Sequence, residues 1–476
     1  MDTAKRVTKN SFFVLTARVT EVVFNLVVFS LVARYLGIEG FGVYSFVIAT
    51  IWILSPILFL GLNQILARDV ALNPEKTAIL IGNGMILNML MTIPTLILVI
   101  AIINIFNMSS EAAVALFITI ATFISRAFIR NFFGVIIASE KMKHLTSITV
   151  ITRASELLMI FAIVILDLGF INLFVASCIA EVLGFIACLI LFRKIFAMLK
   201  IEVNTKEIWN LFKDCLPVTL SLLLIEAFLY IDIFVLKLLA SDTDIGLFQG
   251  PHKILTRLQA LPMAIFVALL PLYSRLAGSQ ETIDDFNSLF VKTFRLILII
   301  ALPVSVIGII FSEKIILLLF GKEFSAAGHA LQILILAFPF LCITTQHRYL
   351  FISLKKRRLI VASDAIGVVC KLLLGVMLIP SFGFIGASIG TLIAIIVQLA
   401  MNYLFLIKHF GSVVWQRDIA GPICSTLVFA LFMLGFGKQA SLILLPFGLI
   451  LYFVTLLIFK TFSTEDIYYF KRSIGF

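Results

Sequence analysis

The sequence predicts an all-α polytopic membrane protein with 14 transmembrane helices, arranged as two parallel six-helix halves around a central cavity plus two C-terminal helices. Three observations carry that prediction. The 476 residues are 62% hydrophobic and only 13% charged, with 46 phenylalanines against nine tyrosines and three tryptophans, and the mean hydropathy is +1.15. Soluble globular chains do not have this composition. Apolar runs long enough to cross a roughly 30 Å hydrocarbon slab as helices recur along the chain. Lysine and arginine gather in alternate connections, the pattern that cytoplasmic loops retain.

The runs begin near residues 11, 41, 78, 112, 146, 170, 215, 248, 293, 327, 359, 383, 418 and 441. In the first, Arg18, Glu21 and Asn25 stand at i, i+3 and i+7, so helical geometry stacks them on one face that cannot look at lipid. The run is too long for a signal peptide and lacks a small-residue cleavage site, so none is expected. It ends in Arg34-Tyr-Leu-Gly37-Ile-Glu39-Gly40-Phe41-Gly42-Val-Tyr44, whose glycines allow a tight turn into the next run. With the N-terminus inside, 23 basic residues fall in or beside cytoplasmic connections and only Lys314, Lys322 and Lys438 in outer ones. Both termini are therefore expected in the cytoplasm. The net charge of +11 is read as topology-setting rather than as a nucleic-acid or anionic-lipid surface.

An internal repeat sets the organisation. One offset lays Ser139-Glu-Lys141-Met-Lys143 on Ser353-Leu-Lys355-Lys-Arg357, Gly169-Phe-Ile171 on Gly383-Phe-Ile385 and Lys194 on Lys408. A looser match sets Phe41-Gly42-Val-Tyr44 on Ile245-Gly246-Leu-Phe248. Residues 1–195 and 215–408 are thus expected as six-helix halves related by an axis along the membrane normal. The stretch 196–214 is expected as a cytoplasmic linker, and 409–476 as two further spans with a cytoplasmic tail.

The sequence has no phosphate-binding loop, no HExxH and no Gly-x-Ser-x-Gly, so neither nucleotide hydrolysis nor common hydrolase chemistry is expected. The six cysteines lie in or beside apolar runs without metal-ligand spacing and read as packing residues. No metal site and no cofactor are expected, beyond coupling to Na⁺ or H⁺.

The functional signal is the set of ionisable residues inside spans: Arg18, Glu21, Arg126, Arg130, Arg153, Glu156, Glu181, Glu226, Asp232, Lys237, Lys253, Arg257, Arg348, Asp364 and Lys371. Arg153 with Glu156, and Asp364 with Lys371, read as structural pairs sharing a helix face. Gln249, Lys253 and Arg257 stand at i, i+4 and i+8, and neither cation has an acid at i±3 or i±4. A cavity presenting Arg18, Lys253 and Arg257, with Gln249 and Asn25 beside them, would select an anion, and guanidinium forks match phosphate oxygens. With no nucleotide motif, an ion gradient is the expected drive. Glu21 and Glu226, in the first spans of the two halves, are the coupling candidates.

The opening Arg34 to Tyr44 segment, Arg68, Pro271-Leu-Tyr-Ser274-Arg275 and Leu319-Phe320-Gly321-Lys322-Glu323-Phe324 resemble the Wzx-type polysaccharide and oligosaccharide flippases. These belong to a superfamily that also holds lipid II flippases and multidrug and toxin extruders. The resemblance implies a non-enzymatic protein of the cell membrane that moves a polyprenyl-(pyro)phosphate-linked oligosaccharide to the outer leaflet by alternating access. It also implies glycosyltransferases and a polymerase as pathway partners. Lipid II flippases carry cavity arginines in spans one, two and eight; Arg18 and Arg257 match the first and last, while the second span, Phe41 to Leu66, has no basic residue, which points to a different glycan. The extruders use cavity acids to bind cations, a role open here to Glu21, Glu226 and Asp232, and drug extrusion is the alternative reading. A membrane-embedded glycosyltransferase is disfavoured by the short outer loops.

Overall fold

A computed structural model of the chain describes residues 2–196, 203–277, 283–410, 416–435, 437–459 and 461. Of these, the side chains of 2–15, 17–19, 194–196, 261, 268, 283–284, 409–410, 416–418 and 437–442 lie outside the description. The described residues form α-helices with no strand. In order they are α1 (Asp2–Phe59), α2 (Leu62–Leu72), α3 (Thr77–Ile105), α4 (Ser110–Ala138), α5 (Met142–Leu166), α6 (Phe170–Phe196), α7 (Thr205–Leu239), α8 (Asp242–Leu258), α9 (Ala260–Leu276), α10 (Ile283–Ile310), α11 (Ser312–Phe320), α12 (Ala327–Leu336), α13 (Phe338–Ser353), α14 (Arg357–Phe410), α15 (Gln416–Gly435) and α16 (Gly437–Ile458).

α1 cannot be one rod. Its 58 residues would reach roughly 87 Å, nearly three times the hydrocarbon thickness. The backbone breaks at Gly37 (φ 69°, ψ −176°), in the left-handed region that favours glycine. The ring of Phe29 lies 6.0 Å from those of both Phe41 and Tyr44, although a straight helix would separate Phe29 from Tyr44 by about 22 Å. The chain therefore doubles back here. Tyr35 fastens the turn by donating to Asp167 Oδ1 at 2.6 Å and accepting from the Gly169 N–H at 2.9 Å. α14 breaks likewise at Gly383 (φ 53°).

Seven helical stretches are long and apolar enough to cross a membrane, and two bent pairs, 242–276 and 322–353, pass as single broken spans. The stretches 20–72 and 357–408 each supply two arms. With α7 and the shorter apolar α15 and α16, the described helices are consistent with the fourteen crossings expected. Large side chains such as Ile93, Ile97 and Ile100 on α3 and Leu158 and Phe161 on α5 are exposed, an outward face that suits lipid. The starts of α7 and α4 are capped by side chains. The Asn204 carboxamide oxygen accepts from the N–H groups of Lys206 and Glu207 at 3.1 Å, and Ser109 Oγ accepts from the Ala112 N–H at the head of α4, satisfying donors a helix leaves open.

The chain divides into two compact units, Met1–Gln249 with Leu372–Phe384, and Gly250–Lys371 with Ile385–Phe476. In the first, Leu62, Leu66, Ile81, Phe132, Val135 and Cys215 form the centre of a buried cluster of α2, α3, α4, α6 and α7. In the second, α10, α15 and α16 pack around Phe429, Tyr452 and Leu456, and the Tyr452 hydroxyl donates to the Ile299 carbonyl at 2.9 Å. The first unit also holds a close helix crossing. A Cβ on Gly42 would stand 1.8 Å from the Asp242 carbonyl oxygen, and one on Gly246 would stand 2.2 Å from that of Ile38. The alignment that sets Gly42 on Gly246 also sets Ile38 on Asp242, so the contact is reciprocal. Lys237 braces it through both Asp242 carboxylate oxygens, at 2.6 and 2.8 Å.

Candidate functional site: an intramembrane charge network

In the first unit the charges of α4, α5 and α6 converge on Glu181. One oxygen, Oε1, accepts from Arg126 Nε at 2.9 Å, Arg126 Nη2 at 2.5 Å and Arg153 Nη2 at 2.6 Å. Arg153 turns Nη1 to Glu156 Oε2, and Ser177 Oγ donates to Glu156 Oε1 at 3.0 Å. α5 and α6 approach closely enough for this because Gly184 leaves room, its absent Cβ falling 2.3 Å from Thr152 Oγ1. The Arg126 guanidinium carbon also lies 4.7 Å from the Phe123 ring centroid and 5.6 Å from that of Trp52. Aromatic faces and carboxylates together replace water for these cations. The expected Arg153 and Glu156 contact forms, and Glu181 is its hub, which the sequence did not single out.

Arg130, one helical turn beyond Arg126, differs. Its guanidinium carbon lies 4.7 Å from the Phe59 ring centroid, and among the described residues it has no hydrogen bond or ion pair. Glu21 and Glu226 act on it through space, so the two coupling candidates converge electrostatically on the same cation. Phe59 is the last residue of α1 before a break in the second span at Leu60 (φ 52°) and Gly61 (φ 66°). The break frees the Leu58 carbonyl, which accepts from Asn88 Nδ2 at 2.7 Å. Asn131 Nδ2 in turn donates to Asn88 Oδ1 at 2.7 Å. Broken spans with re-satisfied backbone are typical of membrane transport sites.

The other expected residues are placed as follows. The Arg18 side chain lies outside the described residues. Asn25 Nδ2 donates to the backbone carbonyl of Glu21 at 2.6 Å, and the Glu21 side chain is exposed. Glu226 is half-buried and Asp232 is buried on α7; both engage partners. α8 carries Gln249, Lys253 and Arg257. Gln249 is fully buried, and neither atom of its amide has a hydrogen-bond partner among the described residues. Lys253 is buried with a partner, and its charge, like that of Lys371, acts on the buried His252. Arg257 is half-buried and has no ion pair among the described residues. One expected pairing is corrected: Asp364 binds Arg348 of α13 through Oδ2 and accepts from Gln398 Nε2 at 2.9 Å through Oδ1, rather than pairing with Lys371. Two full helical turns, roughly 10 Å, separate positions 364 and 371, whereas α13 and the arm of α14 beyond Gly383 supply closer partners. No cluster of His, Cys, Asp or Glu suited to a metal ion occurs among the described residues.

These features define a multi-pass helical membrane protein that holds ionised side chains inside an apolar bundle. The chain matches the family described as polysaccharide biosynthesis protein over residues 7–277, more than half its length, and belongs to that family. A second family, MatE, matches residues 217–377. Over 387 residues the chain is 23% identical to the "Putative O-antigen transporter" of Shigella flexneri, covering 78% of this chain and 91% of that one. Over 242 residues it is 24% identical to the "Probable low-salt glycan biosynthesis flippase Agl15" of Haloferax volcanii, about half of each chain. Its fold is similar to that of the lipid II flippase MurJ in an inward closed conformation, with a TM-score of 0.76 at 17% identity, over 94% of this chain and 98% of that one.

Proposed function

We propose that this protein is a flippase that carries a polyprenyl-(pyro)phosphate-linked oligosaccharide from the cytoplasmic to the outer leaflet of the cell membrane by alternating access, for cell-surface polysaccharide synthesis. The observation that carries the reading is a guanidinium inside the apolar bundle, Arg257, that no described carboxylate neutralises, in a chain of the polysaccharide family. A cation left unpaired inside a membrane protein faces water or an anionic ligand. In this reading Arg18, Lys253 and Arg257 take the phosphate, with Gln249 and Asn25 beside them. Glu21, Glu226 and Asp232 couple a Na⁺ or H⁺ gradient, and the repeat halves 1–195 and 215–408 rock about the site. Both termini lie in the cytoplasm, the protein catalyses no covalent step, and glycosyltransferases and a polymerase of its pathway act before and after it.

The test is complementation of a strain lacking its own flippase. Arg257→Ala is expected to abolish growth or surface polysaccharide while membrane abundance stays near wild type; collapse of abundance would make Arg257 a structural residue. A cytoplasm-only fluorescent reporter fused after Phe476 checks orientation in the same cells, and a dark, expressed fusion would overturn it. The MatE match at 217–377 favours a second reading, cation-coupled drug extrusion. Drug resistance conferred without any effect on surface glycan would establish that one instead.

A further inference from the structure

Within the first unit, Arg126 and Arg153 direct their in-plane donors to Glu181 and Glu156. Arg130 directs none to any described residue. We infer that Arg130 of α4 binds a phosphate oxygen of the lipid-linked substrate, an inference that rests on the flippase reading above.

A guanidinium cannot shed its proton in a protein, so Arg130 stays charged whatever surrounds it. Its carbon lies 4.7 Å from the Phe59 ring centroid. Cation–π attraction holds the group there without using an N–H, so all five donors remain for a ligand. Their fork matches two oxygens of one phosphate. The platform is anchored: Phe59 ends α1 at the Leu60–Gly61 break, and the Asn131 to Asn88 to Leu58 carbonyl relay fixes that break from α3 and α4. The charges acting on Arg130 come from α1, α7, α6 and its own helix. Glu21 of α1, Glu226 of α7 and Glu181 of α6 attract it, and Arg126 repels it. The attraction acts through space, with no bond to displace, so an arriving phosphate gains bonded contacts that the empty protein lacks. The convergence of α1, α4 and α7 on one cation is invisible in the sequence, where Arg126 and Arg130 look alike.

Phosphate can reach this site on a polyprenyl carrier or on an anionic phospholipid. Purified full-length protein in detergent is therefore titrated with farnesyl pyrophosphate, with dioleoylphosphatidylglycerol as competitor. Arg130→Gln is expected to weaken pyrophosphate binding by about tenfold to a hundredfold, the loss of a charge-assisted pair. Its melting temperature should be unchanged, and Arg130→Lys should recover part of the affinity. Wild-type affinity in Arg130→Gln overturns the inference and leaves the flippase reading standing. Failure of the wild-type protein to bind farnesyl pyrophosphate removes that reading and the inference with it. Equal competition by phosphatidylglycerol assigns the site to bilayer lipid and overturns the inference. Loss of folding in Arg130→Gln together with a folded Arg130→Lys that binds more weakly than wild type supports it, whereas wild-type affinity in a folded Arg130→Lys, or lowered stability in both variants, overturns it.

Discussion

Removing the Glu181 carboxylate tests whether the charge network holds the first unit together. Its side chain is 3% exposed, and those of Arg126 and Arg153 are 17% and 12% exposed, so solvent screens these pairs little. Glu181→Ala takes away three donated hydrogen bonds and the shared counter-charge, leaving Arg126 unbonded and Arg153 with Glu156 alone. Breaking a buried ion pair on one side costs on the order of 3–5 kcal/mol, because the charge left behind is neither hydrated nor paired. For a large domain this lowers the melting temperature by roughly 10 °C. Glu181→Gln keeps an acceptor in place without the charge and should fall between wild type and Glu181→Ala. The assay is thermal unfolding of the purified protein in detergent, followed by intrinsic fluorescence. A Glu181→Ala melting point indistinguishable from wild type would refute the network as a structural element and make Glu181 a candidate for the transport cycle instead.

Two further outcomes follow from the same reasoning. Gly42→Ala would place a methyl carbon 1.8 Å from the Asp242 carbonyl oxygen, a backbone clash that no rotamer relieves, so the crossing should spring apart; transport should fall severely, and a cysteine introduced at Ile38 should become more reactive to a water-soluble maleimide. Unchanged transport and reactivity would show the crossing to be dispensable. Glu21→Gln keeps shape and hydrogen bonding while removing the titratable charge. In proteoliposomes with a labelled polyprenyl-linked sugar the variant should bind substrate yet lose its response to an imposed Na⁺ or pH gradient, and retained gradient dependence would move coupling to Glu226 and Asp232.

The sequence by itself determined the solvent. With 62% hydrophobic residues, the chain has only lipid to face, and helices are the elements that satisfy their own backbone there. It also determined where the chain turns, because Gly37 and Gly383 supply the left-handed backbone that the surrounding residues resist. The Arg153 and Glu156 pair was legible too, being set by helical spacing alone. Tertiary structure decided which charges meet across helices. Glu181 lies far along the chain from Arg126, and nothing in its local sequence marks it as the acceptor of both arginines. Asp364 went to Arg348 of α13 and to Gln398 beyond the Gly383 break of α14 rather than to Lys371 on its own arm, because packing brings those side chains nearer than two turns of one helix do. Arg126 and Arg130 are chemically identical and share a helix face, yet packing gave one a carboxylate and the other an aromatic ring. Helix periodicity fixes the face a side chain occupies; only the packing of neighbouring helices fixes what stands opposite it.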